Sequence, residues 1–120
     1  MMIRSFLPVG QGAFYCEQFM DDLKREWVNV VYDCGSSTNV KLVEEQIKNN
    51  FEKDEIIHAV FISHLDEDHI NGIPFLLKYC KVKKIFFPLL TEENAKYLRL
   101  YNLITVSYTH LRAHETSQDL

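Results

Sequence analysis

The chain has 120 residues, of which 47% are hydrophobic and 25% charged, and its formal net charge is −4 at pH 7. These values predict one soluble globular domain and exclude a general electrostatic attraction to nucleic acid. No apolar stretch approaches the roughly 18–20 residues needed to cross a bilayer, and the N-terminus lacks the apolar region of a signal peptide. The three cysteines have no CxxC spacing, so we expect a cytoplasmic protein without a disulfide framework.

Hydrophobic periodicity predicts strands and helices in a definite order along the chain. The predicted strands cover residues 2–7, 13–19, 27–32, 56–63 and 83–87. The predicted helices cover residues 40–51, 71–79 and 91–103. The first helix is capped by one of three residues, Ser36, Ser37 or Thr38. Antiparallel hairpins followed by alternating strands and helices predict an α/β fold, a mixed sheet with flanking helices.

Several side chains receive structural interpretations. The aromatic residues of the second half are most simply core, namely Phe61, Phe75, Tyr79, Phe86 and Phe87. His58 is interpreted as a satisfied structural histidine and Cys34 as a small buried residue. A local basic cluster is either a solvated rim or a phosphate-binding edge, and it comprises Lys78, Lys81, Lys83 and Lys84.

Four potential metal ligands lie within six positions, directly after the strand predicted over residues 56–63. They are His64, Asp66, Asp68 and His69. Imidazole and carboxylate groups together favour divalent first-row metals, and a strand that ends in such a loop brings them to one edge of a sheet. The alternative is a polar turn, where carboxylates and Asn-Gly are common but paired histidines are not. The sequence therefore predicts a metal site.

These residues resemble a known family. Residues 63–72 resemble the metal-binding loop of the metallo-β-lactamase superfamily, usually written H-x-H-x-D-H, with Asp66 in place of the second histidine. Asp33-Cys34-Gly35 resembles the first motif of that superfamily. The resemblance implies that Asp33 supports the metal loop, with Gly35 and Gly72 as structural support.

One branch of the superfamily is especially similar. The turn Val9-Gly10-Gln11-Gly12, for which we expect a tight turn or a close backbone approach, and the H-x-D-x-D-H variant resemble the metallo-hydrolase domain of DNA-uptake competence proteins. The resemblance implies that residues 1–105 are the N-terminal half of an αβ/βα sandwich. The remaining ligands of a complete site would then lie further along a natural chain.

The resemblance also implies a chemistry. His64 and Asp66 would hold one divalent metal ion, and Asp68 and His69 a second; zinc or manganese is expected and magnesium is possible. Asp68 is the predicted catalytic residue, and a metal-activated hydroxide would attack the substrate. We expect a hydrolase of phosphodiesters, with a nucleic acid as partner. The alternatives are a hydrolase of small thioesters, lactones or phosphate esters, and an inactive fragment. The oligomeric state stays open.

Residues 106–120 differ from the rest in composition. His110 and His114 are spaced i,i+4, as two ligands on one helix face would be. The stretch is polar, without a following apolar pattern, and it resembles a translated sequencing adapter found at the ends of unrelated predicted proteins. We interpret it as a non-native or disordered tail rather than a ligand-bearing helix.

Overall fold

A mixed β-sheet organises the part of the chain that the computed structural model describes, namely residues 2–87 and Asn102. The strands are β1 (Met2–Phe6), β2 (Gly12–Asp21), β3 (Glu26–Ser36), β4 (Ile56–Ile57), β5 (Ala59–Phe61), β6 (Lys81–Val82) and β7 (Ile85–Phe86). The helices are α1 (Val40–Asn50), α2 (Glu67–Ile70) and α3 (Ile73–Tyr79). The predicted third helix, the boundary at residue 105 and the tail with His110 and His114 lie outside the described residues.

The main sheet has the strand order β1-β2-β3-β5-β7, and β4 and β6 form a separate two-stranded sheet. β1, β2 and β3 pair antiparallel, whereas β3, β5 and β7 run parallel to one another. The predicted α/β class with a mixed sheet and flanking helices is confirmed. None of the described helices is both long and apolar enough to cross a membrane.

One face of the sheet packs against the helices. Val31, Val60 and Ile85 lie on neighbouring strands and are fully or almost fully buried. They join a core cluster to which α1 contributes Val43 and Ile47 and α3 contributes Ile73, Leu76 and Leu77. The helical spacing expected for the first helix is therefore observed, with its apolar side on the sheet.

The opposite face carries a continuous row of aromatic rings, one from each strand of the main sheet. We call it the aromatic row; in sheet order it contains Phe6, Tyr15, Tyr32, Phe61 and Phe86. Successive ring centroids lie 4.5, 5.5, 5.2 and 4.9 Å apart. The core assignment was wrong for Phe61 and Phe86, which are 38% and 39% exposed. Strand alternation sends their neighbours Val60 and Ile85 to the covered face instead.

The predicted strand over residues 56–63 is two short strands in different sheets. The break falls at His58, whose amide donates to the Asn29 carbonyl (2.9 Å) and whose Nδ1 accepts from the Asn29 amide (3.1 Å). The Asn29 side chain also donates to the Ile56 carbonyl at 2.8 Å. These bonds turn the chain between β4 and β5, and they confirm His58 as a satisfied structural residue.

Two helix predictions also needed correction. The cap of α1 is Asn39, whose Oδ1 accepts from the Lys41 amide at 2.9 Å. The Ser36 hydroxyl accepts from the amides of Thr38 and Asn39 instead, so it lies before the helix and does not cap it. The helix predicted over residues 71–79 is shorter, since α3 begins at Ile73, and a separate single-turn helix, α2, precedes it. Pro74 lies in the first turn of α3, where its missing amide proton is tolerated.

Candidate metal centre

The ligand loop, residues 63–72, follows the buried Ile62 at the end of β5. Because β3 and β5 are parallel neighbours, the chain that leaves β5 emerges beside the C-terminal part of β3, where Asp33 lies. α2 falls within the loop, and Asp66 occupies its N-cap position. The fold therefore brings the two predicted motifs together at one edge of the sheet.

Asp33 sits at a β-bulge. Phe14 pairs with Cys34 and Tyr15 pairs with Tyr32, so Asp33 is an extra residue on β3, with a φ of +59°. Such a left-handed conformation is unusual for a residue other than glycine, and asparagine and aspartate tolerate it best. The bulge directs the largely buried Asp33 carboxylate toward the ligand loop, where Oδ1 accepts from the Ser63 amide (2.8 Å) and Oδ2 from the Ser63 hydroxyl (2.5 Å).

The two histidines of the loop lie side by side, with ring centroids 5.0 Å apart. Nδ1 of His69 is buried and lies 3.1 Å from Oδ2 of Asp33, although the directions do not make a regular hydrogen bond. Nε2 of His69 lies 3.8 Å from Oδ2 of Asp68. Nδ1 of His64 lies 3.0 Å from the Ser63 hydroxyl. Both rings therefore turn Nδ1 toward the Asp33–Ser63 pair.

Glycines allow the ligand loop to approach the sheet. A Cβ on Gly35 would lie only 2.7–2.8 Å from backbone atoms of Glu67, Asp68 and Ile70, and a Cβ on Gly12 would collide with the Gly35 carbonyl. A Cβ on Gly72 would meet Val43 and Cys34. The glycine turn, residues 9–12, shows both the tight turn and the close backbone approach that the sequence suggested. Gly10 makes the turn with a φ of +78°, and Gly12 makes the close backbone approach.

Asn71 fixes the far end of the ligand loop. Its side-chain Oδ1 accepts from the Ser36 amide at 2.8 Å, and its Nδ2 donates to the Ser36 carbonyl at 2.6 Å. The Gly72 amide donates to the Cys34 carbonyl at 2.8 Å. The loop is thus held to β3 at both ends, by Ser63 and by Asn71.

The predicted ligands are adjacent but not gathered around one point. His64 is exposed, while Asp66, Asp68 and His69 are partly buried. Within the described range, no three histidine, cysteine or acidic side chains are arranged as a cation site. The donors nevertheless suit a divalent ion, because Nδ1 of His69 faces a carboxylate and Nε2 faces Asp68, as in carboxylate–histidine–metal arrangements.

Sequence reasoning gave no individual role to three residues of this site. Ser63 connects Asp33 with His64, Asn71 pairs with Ser36, and Gly12 makes room for β3. The signal for Ser63 was its position between a buried strand and the first histidine. The signal for Gly12 was the glycine turn, for which a close backbone approach was expected, whereas Asn71 left no comparable signal because its role depends on a residue that is distant in sequence.

The three cysteines are buried and have no part in the ligand loop. Desolvation by burial raises the pKa of Cys16 to about 12 and that of Cys34 well above its ordinary value of 9.0. The same cause raises the pKa of Cys80 to about 12. A thiol with so high a pKa is neither a ready nucleophile nor a ready metal ligand. Cys34 is the small buried residue that the sequence predicted.

Comparison with known proteins settles the family. Residues 28–99 match the model of the metallo-beta-lactamase superfamily. The chain belongs to the metallo-beta-lactamase superfamily. The matched region contains Asp33, the ligand loop and the glycines at positions 35 and 72. Membership in the superfamily indicates a metal-dependent hydrolase. Members of the superfamily typically bind divalent ions, usually zinc. No curated protein matches the chain significantly.

Proposed function

We propose that this chain carries the first metal-binding motifs of a phosphodiesterase or nuclease in the metallo-beta-lactamase superfamily. The observation that carries the proposal is the position of the Asp33 carboxylate, in contact with Ser63 and with Nδ1 of His69. A carboxylate behind an imidazole orients the ring and leaves the other nitrogen for a metal ion. The arrangement supports a metal-binding role for His69 rather than a solvated polar turn.

The ligand loop would hold two divalent ions, with His64 and Asp66 on the first and Asp68 and His69 on the second. A bound ion supplies a water molecule that ionises near neutral pH and stabilises developing negative charge. Asp68, whose side chain is 41% exposed and lies 3.8 Å from His69, would accept a hydrogen bond from the attacking water and orient it. A carboxylate at position 66 favours harder ions, so manganese or magnesium would serve beside zinc.

A phosphodiester substrate is supported by the hard donor set and by the resemblance of residues 9–12 and of the H-x-D-x-D-H variant to the branch attached to DNA-uptake proteins. A small ester, thioester or lactone is the second candidate, because a net charge of −4 offers no general attraction to a polyanion. Metal–phosphate contacts would have to provide that attraction locally.

We also propose that the described sheet is one half of an αβ/βα sandwich. Sheets made only of parallel strands are almost always covered on both faces, and β3, β5 and β7 are the parallel part of this mixed sheet. Helices α1 and α3 cover one face of the sheet. The other face carries the aromatic row, and no described element covers the exposed rings of Phe6, Tyr32, Phe61 and Phe86. A second sheet against the row would complete the core and the layer order.

The first test is the metal content of the purified 120-residue chain beside the double variant Asp68→Ala, His69→Ala. We expect bound metal that the double variant loses, while Asp22→Asn, a change in the exposed β2–β3 turn, leaves it unchanged. Single-stranded DNA, a chromogenic phosphodiester and a lactone are then assayed with added manganese or zinc. Cleavage of the DNA and the phosphodiester supports the proposal, and turnover of the lactone alone supports the second candidate. If neither the wild-type chain nor the double variant binds metal, the phosphodiesterase and the hydrolase of small esters are both contradicted.

A further inference from the structure

We propose that Ser63 is a positioning residue that fixes the tautomer of His64 and so leaves Nε2 of that ring available to a metal ion. The purpose of this arrangement rests on the function proposed above. The arrangement itself involves only atoms of Asp33, Ser63 and His64.

The direction of the first hydrogen bond follows from its donors. A serine hydroxyl has a single proton, and a carboxylate can only accept one. Oγ of Ser63 lies 2.5 Å from Oδ2 of Asp33, so its proton points at Asp33. The Ser63 amide donates to the other carboxylate oxygen at 2.8 Å and holds the pair in this orientation.

The second bond is then determined. Nδ1 of His64 lies 3.0 Å from the same hydroxyl oxygen, which has only lone pairs left to offer. Nδ1 must therefore carry the proton and donate it. In the neutral ring Nε2 is then unprotonated, which is the form in which imidazole binds a metal ion.

Both histidines of the loop depend on one carboxylate through this arrangement. His69 faces Oδ2 of Asp33 directly at 3.1 Å, whereas His64 reaches the same oxygen through Ser63. His64 is exposed, and without Ser63 its neutral ring would exchange between two tautomers in water. Ser63 thus brings a surface histidine under the control of a buried carboxylate.

The variants follow from the atoms involved. Ser63→Ala removes the hydroxyl but keeps the backbone amide that donates to Asp33. Ser63→Thr keeps the hydroxyl. Ser37→Ala is the matched control, because it removes a serine hydroxyl that donates to the Gln11 carbonyl, on the glycine turn rather than the ligand loop.

The decisive measurement is ¹⁵N NMR of the imidazole nitrogens in the metal-free chain at about pH 8, a pH above the ordinary pKa of a free imidazole, about 6.5. We expect a protonated Nδ1 and an unprotonated Nε2 for His64 in the wild type, Ser63→Thr and Ser37→Ala. A mixture of tautomers is expected in Ser63→Ala. A protonated Nε2 in the wild type, or the same ring state in Ser63→Ala, would overturn the inference.

Zinc titration gives a second readout. We expect Ser63→Ala to bind Zn²⁺ about 10-fold more weakly, as is usual when the partner of a ligand is removed, and Ser63→Thr to restore the affinity. Equal affinity of Ser63→Ala and wild type would count against the inference. The NMR result does not depend on the proposed function. If the wild type shows the expected tautomer but hydrolyses none of the substrates, the proposed function is refuted and the role of Ser63 stands.

Discussion

The side chain of Asn71 pairs with the backbone of Ser36 through two hydrogen bonds, as the backbones of neighbouring strands do. The Asn71 side-chain amide accepts from the Ser36 amide and donates to the Ser36 carbonyl. Ser36 is 1% exposed, so neither of its backbone groups has water as a ready alternative.

Replacing Asn71 by alanine should therefore destabilise the fold. Two buried backbone groups lose their partners, and we expect the free energy of unfolding to fall by about 2–4 kcal/mol. Urea unfolding measures the change. Asn50→Ala is the matched control, because Asn50 donates to the Gln46 carbonyl on an exposed helix face, where we expect a loss of about 0.5 kcal/mol or less. Equal losses in the two variants would contradict the role of Asn71.

Asp33→Asn should separate the fold from metal binding. Asparagine tolerates the φ of +59°, so we expect a change in stability of about 1 kcal/mol or less. The negative charge behind His69 is lost, so the affinity for Zn²⁺ should fall about 10- to 100-fold. Calorimetric titration measures the affinity, and Asp22→Asn in the exposed turn is the control. Unchanged affinity in Asp33→Asn would refute the supporting role of Asp33.

Gly35→Ala should displace the ligand loop. The new Cβ would lie 2.7–2.8 Å from three backbone atoms of the loop, none of which can move alone. We expect a loss of about 1–3 kcal/mol in stability and weaker metal binding. Gly10→Ala offers the comparison. The φ of +78° at Gly10 makes this substitution destabilising, but the atoms nearest to the new Cβ belong to the Thr38 side chain and not to the ligand loop. Metal affinity should fall in Gly35→Ala and persist in folded Gly10→Ala. The reverse result would show that close packing of the ligand loop on Gly35 does not position the loop.

Stability should decline above about pH 9. Burial raises the pKa of Cys16 from 9.0 to about 12, so between these values the unfolded chain releases a proton that the folded chain retains. The unfolded state then binds fewer protons, and the free energy of unfolding falls as pH rises, by about 1.4 kcal/mol per pH unit for each such thiol. Below pH 9 both states keep the proton and the dependence disappears. Urea unfolding at several pH values measures the slope, and Cys16→Ala should make it shallower. An identical slope in the variant would exclude the thiol as its source.

The order of the first three strands and α1, and the position of the ligand loop after a buried strand, were predictable because these features are local in sequence. Alternation identified β1, β2 and β3, and the spacing of Val43 and Ile47 identified α1. The composition of residues 63–72 predicts metal ligands, and that assignment stays a prediction.

What could not be predicted depends on contacts between distant residues. Asn29 breaks the strand at His58, and the Ser36 hydroxyl donates to the carbonyl of the distant Val9 while Asn39 caps α1. Periodicity contains no information on such pairs. The exposure of Phe61 and Phe86 was equally hidden, because a row of large rings has the same composition whether or not another layer covers it.

The aromatic row depends on the register of every strand in the main sheet. Each of its five rings comes from a different strand, and successive rings are register partners. A slip of one residue in any strand would turn that ring to the helix side and interrupt the row. Ring-current shifts and the near-ultraviolet signal of Tyr15 and Tyr32 therefore report the register of β1, β2, β3 and β5, because these two rings contact Phe6, each other and Phe61.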